Sequence, residues 1–362
     1  MHKIRILHLA PHMHFGGAEI MISNLVKHTD RKKFVPMVAT WLGGGLADHL
    51  EKEGVTVFRV PNRPKPLRWW ALRRLIRQEK IDILHTHLFT AGFYGRLAAM
   101  GNRRVQVIRT HHGMTFKKKA VKRIIFEILL YPLSGCHTAV SQSVIRHLND
   151  TLRWKPARMR LIQNGIDVER FCTECNTFNT PPTIVAAGRL SREKGFDVLI
   201  KALHLLAGTQ KHFKCLIAGD GPEKTSLLAL RDNLGLGEKI DFPGYVRDIA
   251  PLMKTCDLLV LPSHHEGLPL SLLEAMASGL PVIASAVGGI PNLLTPDKGW
   301  VVPPANPEVL AATIETVLDN PDRALKKAQK GRVAVSNDYD IKKTAKHYED
   351  LYLVLFQNTG RE

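Results

Sequence analysis

The chain of 362 residues is poor in cysteine and has no long apolar run. Its five cysteines form an odd, scattered set, which argues against a disulfide-stabilised secreted protein and favours reduced thiols. No uncharged apolar stretch approaches the roughly 20 residues that a membrane-spanning helix needs. We also expect no secretory signal, because the first predicted strand already begins at Ile4. A cytoplasmic globular protein is the class that remains.

Acidic residues are scarce in the first half of the chain. Residues 1–180 hold 30 Lys+Arg and only 12 Asp+Glu, whereas the remainder holds 21 of each, so the whole net charge of +18 lies in the first half. This asymmetry predicts an anionic partner for that half, such as anionic lipid, an acidic acceptor or nucleic acid. Nucleic acid is the least favoured, since the sequence holds no recognised nucleic-acid module.

Strand-like and helix-like segments alternate through both halves, with six strands predicted in each. Ile4–Ala10 followed by Ala18–His28 is a typical pair. The alternation indicates parallel, right-handed βαβ units, hence an α/β protein of two doubly wound, Rossmann-like domains facing a cleft. We predict a first domain at 1–172 with a helix at 341–358 packing back on it, a linker at 173–182 and a second domain at 183–340.

The segment Cys256–Ser285 carries the strongest functional signal. It predicts a buried strand, a loop, a helix beginning at Pro269 and a second buried strand. The loop N–H groups and the helix N-terminus would face the carboxyl edge of a sheet, where an anion such as a diphosphate binds. Glu266 in the loop and Glu274 in the helix lie eight positions apart. Glu274 would suit vicinal sugar hydroxyls, and Glu266 would reach another part of the same ligand.

Three further turns follow predicted strands of the second half. Arg189 and Lys194 flank one of them, where two cations could straddle a diphosphate; the alternative is a solvated charged loop. Gly221 lies in a glycine-rich turn, and Val246 could offer an apolar wall to a base.

In the first half, the turn before the first helix contains Gly16 and Gly17, which would let a phosphate or an acceptor oxygen approach the backbone. The alternative is tight-turn geometry alone.

Histidines cluster at strand ends of the first half. His111 could hydrogen-bond a sugar hydroxyl or an acceptor, or it could be a structural histidine satisfied by neighbouring backbone. His85 and His87 share one face of a strand, but no carboxylate or cysteine accompanies them at ligand spacing. Cys172 and Cys175 likewise lack a second pair at zinc-finger spacing. We therefore predict no metal site.

Two segments of the first half combine basic and apolar residues. Lys117–Leu130 places aliphatic residues on one helical face beside lysines, and Arg63–Arg77 sets Trp69 and Trp70 among arginines. Such segments suit an anionic membrane surface. The alternative is an ordinary amphipathic helix whose apolar face is domain core.

Together these residues resemble glycosyltransferase family 4, whose members have the GT-B fold. The match spans nearly the whole chain. The motifs that carry it are Gly16-Gly17-Ala18-Glu19, Asn164-Gly165-Ile166-Asp167, Gly188-Arg189 with Lys194-Gly195, Gly219-Asp220-Gly221, and Glu266-Gly267-Leu268-Pro269 with Glu274-Ala275-Met276-Ala277. The resemblance implies a hexosyltransferase-type enzyme that moves a sugar from a UDP- or GDP-sugar with retention of configuration, with no cofactor and no obligatory metal.

By position, the resemblance implies roles for individual residues. Arg189 and Lys194 would neutralise the donor diphosphate, and Glu274 would hold the ribose. Glu266 would contact the donor sugar's hydroxyls and His111 would sit beside the reacting sugar; these two are the expected catalytic residues. The expected donor-binding residues are Gly16, Gly17, Arg189, Lys194, Gly221, Val246, Gly267, Leu268, Pro269 and Glu274.

We therefore predict a membrane-associated enzyme on the cytoplasmic face that builds a surface polysaccharide, lipopolysaccharide or glycolipid. Its expected partners are the nucleotide-sugar donor, a glycan or lipid-linked acceptor and anionic membrane, but no nucleic acid. Two alternatives stay open. One is a nucleotide-sugar epimerase or hydrolase of similar two-domain build, and the other is a basic lipid- or nucleic-acid-binding protein without enzymatic activity.

Overall fold

The computed structural model describes residues 3–62, 64, 67–113, 121–152, 159–171 and 177–360. The sequence features that fall outside these ranges are Arg63, the lysines at 117–119, Cys172 and Cys175. The chain divides into two compact units, one of residues 1–165 with 341–362 and one of residues 166–340. The division thus lies at 165/166 rather than at the predicted linker 173–182. The reason is a long-range contact: Ile166 already pairs with Asp340 in a parallel bridge of the second unit.

The first unit is built on a seven-stranded, wholly parallel sheet with the order β3-β2-β1-β4-β5-β6-β7. Its strands β1 to β7 are Ile4–Ala10, Phe34–Thr40, Val57–Arg59, Ile83–His87, Gln106–His111, Cys136–Ala139 and Met159–Leu161. The last strand was not predicted, because two of its three residues are exposed and it lacks the apolar run of a buried strand. The helices that connect the strands, α1 to α6, are Gly17–His28, Gly45–Lys52, Arg68–Gln78, Leu88–Ala99, Val121–Leu130 and Gln142–Leu152.

The second unit repeats this plan with a six-stranded parallel sheet of order β10-β9-β8-β11-β12-β13. Strands β8 to β13 are Thr183–Ala187, Lys214–Ala218, Ile240–Gly244, Leu258–Leu261, Val282–Ser285 and Trp300–Val302. Helices α7 to α14 are Val168–Phe171, Phe196–Gly208, Lys224–Asn233, Ile249–Lys254, Leu270–Ala277, Ile290–Leu293, Pro307–Leu318 and Pro321–Asp338. Two doubly wound α/β units confirm the predicted fold class.

Local sequence explains these elements. All four residues of β11 are apolar and buried, as expected for a strand covered by helices on both faces. Helix α13 begins with Pro307, and the Asn306 side chain accepts a hydrogen bond from Val309 N at 2.9 Å. In the described part of the chain, no helix has both the length and the apolarity needed to cross a bilayer.

The last helix of the chain, α15 at Ile341–Gln357, belongs to the first unit. Leu351 and Leu355 pack in one apolar cluster with Ile6 of β1. Two tyrosines of the same helix bond to buried polar groups of the sheet. Tyr352 Oη lies 2.8 Å from His85 Nδ1, and Tyr348 Oη lies 3.3 Å from the hydroxyls of Thr110 and Thr138. The register of α15 is therefore fixed by hydrogen bonds as well as by apolar contact.

We expect Tyr352→Phe to destabilise the protein by about 1–3 kcal/mol, because it leaves a buried nitrogen of His85 without its partner. Val354 lies on the exposed side of the same helix, so Val354→Ala is the matched control and should change stability by less than about 0.5 kcal/mol. Urea unfolding followed by circular dichroism measures both. Equal midpoints for the two variants would contradict the assigned role of the hydrogen bond.

Candidate functional site

Two loops leave the carboxyl ends of β8 and β11, the neighbouring strands at which the order of the second sheet reverses. Ligands of doubly wound folds bind outside such a reversal. The loops are held together by backbone contacts, since the amide of His264 donates to the carbonyl of Glu193 at 2.8 Å. Gly195 has a φ of 64°, and a Cβ there would collide with the carbonyl of Pro262. Glycine is therefore required where the two loops meet.

The contact brings together two side chains that the sequence analysis had assigned to different parts of a ligand. Lys194 Nζ lies 2.7 Å from Glu266 Oε1, and the Ser263 hydroxyl donates to the same oxygen at 2.8 Å. The Glu266 side chain is 7% exposed and that of Lys194 is 26% exposed. An ammonium group has three N–H donors, so Lys194 keeps donors for a second anion. Arg189 is exposed at the beginning of the same loop.

Glu274 lies in the middle of α11 and is half-buried. Its carboxylate has no hydrogen-bond partner among the described residues. Burial raises the pKa of Glu274 to about 7; Arg170 opposes this increase and Asp248 adds to it. Arg170 Nη2 and Asp248 Oδ1 themselves form an ion pair at 2.7 Å. Neither Arg170 nor Asp248 could be found from the sequence, because no spacing rule links them to Glu274. Only the motif at residues 164–167 indicated that region of the chain.

Two glycines allow another segment of the backbone to pack closely against the loop that follows β11. Gly288 has a φ of 60°, and a Cβ there would collide with the carbonyl of Glu266. The Gly267 carbonyl accepts a hydrogen bond from Gly289 N at 2.7 Å. Leu268 is buried, and α11 begins at Leu270, with Pro269 as its N-cap rather than its first helical residue. The first-turn amides of α11 therefore follow directly after the Glu266 loop.

The other two predicted turns of the second unit contain Gly221 and Val246, and both residues are half-buried. A Cβ at Gly221 would collide with the carbonyl of Leu190, so Gly221 serves the close packing of two loops. Val246 is half-buried and follows Tyr245, which is 41% exposed.

In the first unit, the paired glycines before α1 are not equivalent. A Cβ at Gly16 would collide with the carboxylate of Glu19, whereas a Cβ at Gly17 would meet nothing within 4 Å. Glu19 is buried, and its Oε1 lies 3.3 Å from His12 Nδ1. Only Gly17 therefore leaves open space beside the N-terminus of the helix.

The structure places His111 inside the first unit. It is 1% exposed, and its Nε2 lies 3.3 Å from His137 Nδ1. The adjacent His112 is half-buried, and its Nε2 lies 2.9 Å from His87 Nδ1. Because side chains alternate along β5, His111 points to the same face as the buried Arg109, while the chain turns away from the strand at His112. The edge of the sheet thus presents His112 more than His111.

Three buried histidines, His8, His85 and His87, offer ring nitrogens that all lie within 4.8 Å of one another. Both nitrogens of His85 already pair with hydroxyl groups, Nδ1 with Tyr352 at 2.8 Å and Nε2 with Thr110 at 2.6 Å. His8 Nδ1 lies 3.2 Å from His87 Nε2. In this arrangement the three rings are joined to their surroundings by hydrogen bonds.

Comparison with known proteins identifies the family. The model for Glycosyltransferase Family 4 matches residues 15–170, and the model for Glycosyl transferases group 1 matches residues 171–333. The chain belongs to glycosyltransferase family 4. The enzyme is thus a hexosyltransferase-type glycosyltransferase that uses a nucleotide-sugar donor, as the sequence resemblance implied.

Three relatives illustrate the similarity. The enzyme is 27% identical to the UDP-Gal:alpha-D-GlcNAc-diphosphoundecaprenol alpha-1,3-galactosyltransferase of Escherichia coli over 87% of this chain and 88% of that one. It is 25% identical to the N-acetyl-alpha-D-glucosaminyl L-malate synthase of Bacillus anthracis over 78% and 77% of the two chains. The solved structure of Anabaena Alr3699/HepE in complex with UDP-glucose matches with a TM-score of 0.87 and 21% identity, over 96% and 99% of the chains. That structural likeness shows the GT-B fold.

The first unit should lose stability as the pH falls below about 6.5. Burial lowers the pKa of His8, His112 and His137 to about 3, and lowers the pKa of His85, His87 and His111 well below the usual value. Below about pH 6.5 the unfolded chain therefore binds more protons than the folded one, and each such histidine removes up to about 1.4 kcal/mol per pH unit.

Urea unfolding midpoints at several values between pH 8 and pH 4.5 measure this dependence. The histidine contribution should be absent above the unfolded pKa and grow steadily below it. A midpoint that stays constant from pH 7 to pH 5 would contradict neutral burial of these rings.

Proposed function

We propose that this glycosyltransferase acts with retention of configuration and moves a hexose from a UDP- or GDP-sugar to a lipid-linked glycan in the synthesis of a surface polysaccharide or glycolipid. Two relatives support UDP over GDP: by their names, the Escherichia coli enzyme uses UDP-Gal and the Anabaena protein binds UDP-glucose. The name of the Escherichia coli enzyme also supports a lipid diphosphate as part of the acceptor.

The observation that carries the proposal is the pairing of Lys194 with Glu266 where the sheet order reverses. The leaving diphosphate gains negative charge in the transition state, and a fixed ammonium stabilises that charge. Arg189, at the beginning of the same loop, adds a planar set of donors. Glu266 accepts hydrogen bonds from the donor sugar's hydroxyls. Because Glu266 also forms an ion pair with Lys194, these two residues together position the donor sugar and its diphosphate.

Glu274 binds the ribose of the donor through two vicinal hydroxyls, both of which donate to the ionised carboxylate. With a pKa of about 7, roughly half of the free enzyme carries the ionised form at neutral pH. Donor binding then draws a proton off Glu274. Tyr245 offers an exposed ring to the base of the donor nucleotide, and Val246 offers it an apolar side chain.

In the first unit, the substrate-facing groups are Gly17 and His112 rather than Gly16 and His111. Gly17 leaves room beside the α1 N-terminus, and His112 lies just after β5. The buried His112 Nδ1 has no hydrogen-bond partner in the described part of the chain. An oxygen of the bound substrate supplies that partner.

We expect Lys194→Ala to reduce kcat/KM at least about 100-fold, as removal of a donor to developing charge does in other enzymes. Glu274→Gln should weaken donor binding and abolish its pH dependence, which in the wild type is a loss of up to about tenfold per pH unit below pH 7. Lys201, in an exposed ion pair with Asp197, gives the matched control Lys201→Ala, which should behave like the wild type.

Donor screening by thermal shift and initial rates measures these effects, since a ligand of the folded state raises its apparent stability. NMR of the product gives the anomeric configuration. Near-normal rates for both site variants would reject the site, and epimerised free donor would favour an epimerase instead.

The membrane part of the proposal rests on α5, whose polarity is inverted. Its buried residues are Glu127 and Leu130, whereas Ile125 and Leu129 are 48% and 66% exposed. Glu127 is held inward by ion pairs to the buried Arg96 and Arg109. Burial alone would raise the pKa of Glu127, but the two guanidinium groups outweigh it and lower the pKa. Because Glu127 faces the core, the opposite side of the helix, which carries Ile125 and Leu129, faces outward.

Helix α3 of the same unit adds a basic, aromatic surface. Together with the end of α4 it lines a pocket of about 630 Å³ whose walls include Trp69, Trp70, Arg73, Arg74, Arg77 and Met100. Trp70 is 58% exposed. Indole rings and guanidinium groups suit the headgroup region of an anionic bilayer, and the aliphatic residues of α5 suit its acyl boundary.

We expect the enzyme to float with vesicles that contain anionic lipid and not with neutral ones. The double variant Ile125→Ser and Leu129→Ser should lose at least half of the bound fraction. Val333 is 52% exposed on α14 of the second unit, so Val333→Ser is the matched control and should bind like the wild type. Absence from both kinds of vesicle would reject membrane contact.

A further inference from the structure

Three imidazole rings of the first unit are joined in series. His8 Nδ1 lies 3.2 Å from His87 Nε2, and His87 Nδ1 lies 2.9 Å from His112 Nε2. The series runs from the interior of β1, through the last residue of β4, to the residue after β5. At its two ends, His8 Nε2 and His112 Nδ1 are buried atoms without a hydrogen-bond partner among the residues that the structure describes.

Each ring carries one ring proton at neutral pH. His8 and His87 are 0% and 1% exposed, and burial lowers the pKa of all three rings far below 7. A neutral imidazole has one N–H donor and one lone pair. A net positive charge does not move along the series, because the same burial opposes a charged ring at every position.

The proton count leaves two arrangements. In one, His8 Nδ1–H donates to His87, and His87 Nδ1–H donates to His112, so that His112 carries its own proton on Nδ1. In the other, every bond is reversed: His112 donates from Nε2, and His8 carries its proton on Nε2. The tautomer of His112 is therefore coupled to that of His8 through His87.

The ends of the series decide between the two arrangements. Each arrangement has one N–H and one lone pair without a partner, at opposite ends. A buried N–H without an acceptor is rarer in proteins than an unsatisfied acceptor. The first arrangement puts the unpaired N–H on His112, whose Nδ1 is itself a buried atom but whose ring is half-buried at the edge of the sheet, so that a small rotation of the ring exposes it. The second puts it at His8, which is fully enclosed. The first arrangement is therefore the more stable.

We propose that His87 and His8 are positioning residues that hold His112 as the Nδ1–H tautomer, so that His112 offers a hydrogen-bond donor to an oxygen of the bound saccharide. The tautomer assignment stands on the geometry of the series and on the burial that keeps its rings neutral. Its consequence for catalysis rests on the proposed function, in which His112 contacts the substrate. His87 and His8 act only through His112.

Nitrogen-15 NMR of the protein labelled at histidine tests the tautomer directly at pH 7.5. The His112 signals are assigned as those missing from His112→Gln. We expect Nδ1 to carry the proton in the wild type, and the proton to move at least partly to Nε2 in His87→Leu. His87→Asn keeps an amide donor near the position of Nδ1 and should restore the wild-type signals. His28, which bonds to Asn24 O on α1, gives the matched control His28→Leu, which should leave the His112 signals unchanged.

Kinetics provide the second readout. His87→Leu should lower kcat/KM about tenfold or more while donor-induced thermal stabilisation stays normal, and His87→Asn should recover to within about threefold of the wild type. A wild-type His112 protonated on Nε2, or a His112 signal unmoved in His87→Leu, overturns the positioning role. Because the first of these needs no substitution at His87, the test stands even where His87→Leu fails to fold. A His112 tautomer that shifts in His87→Leu while the rates stay unchanged overturns instead the substrate contact of His112.

Discussion

Parallel strand pairing is the constraint on which this protein depends. When every strand of a sheet runs in one direction, every loop that follows a strand reaches the same edge, and the loops at the reversal of strand order become neighbours. In the second unit those loops follow β8 and β11. Lys194 and Glu266, 72 positions apart in the chain, form an ion pair there. Glycines at 195 and 288 allow the backbone to approach closely enough for this contact.

The first unit shows the same plan with a polar interior. Arg96, Arg109 and Glu127 are fully buried and paired, and the histidines of β1, β4 and β5 are linked to one another or to hydroxyls of α15. Replacing such a network by apolar residues is often neutral or stabilising, so the network is poorly explained as a source of stability. Its visible consequences are geometric: it inverts α5, fixes the register of α15 and orients the rings that lead to His112.

The alternation of segments was predictable because buried parallel strands are short apolar runs and the helices between them have a 3.6-residue period. Ile4–Ala10 has the bounds that the sequence indicated, and the helix predicted at Ala18–His28 begins one residue earlier, at Gly17. Periodicity gave no signal for Met159–Leu161, because two of its three residues are exposed. It also could not locate the boundary between the units, because the bridge from Ile166 to Asp340 joins positions far apart in the chain.

The sequence by itself determined the fold class and the family and indicated the residue types of the proposed donor site, because these follow from local patterns and from the spacing of Glu266 and Glu274. Only the tertiary structure decided which groups are accessible. His111 is buried, and His112 is the more accessible of the two histidines. The Glu19 carboxylate fills the space beside Gly16, whereas the space beside Gly17 is open. Most aliphatic residues of α5 face outward. The physical reason is that the accessibility of a side chain depends on its partners in other elements. The inward face of α5 is set by ion pairs to two arginines, one on α4 and one on β5. The sequence period within α5 does not reveal these partners.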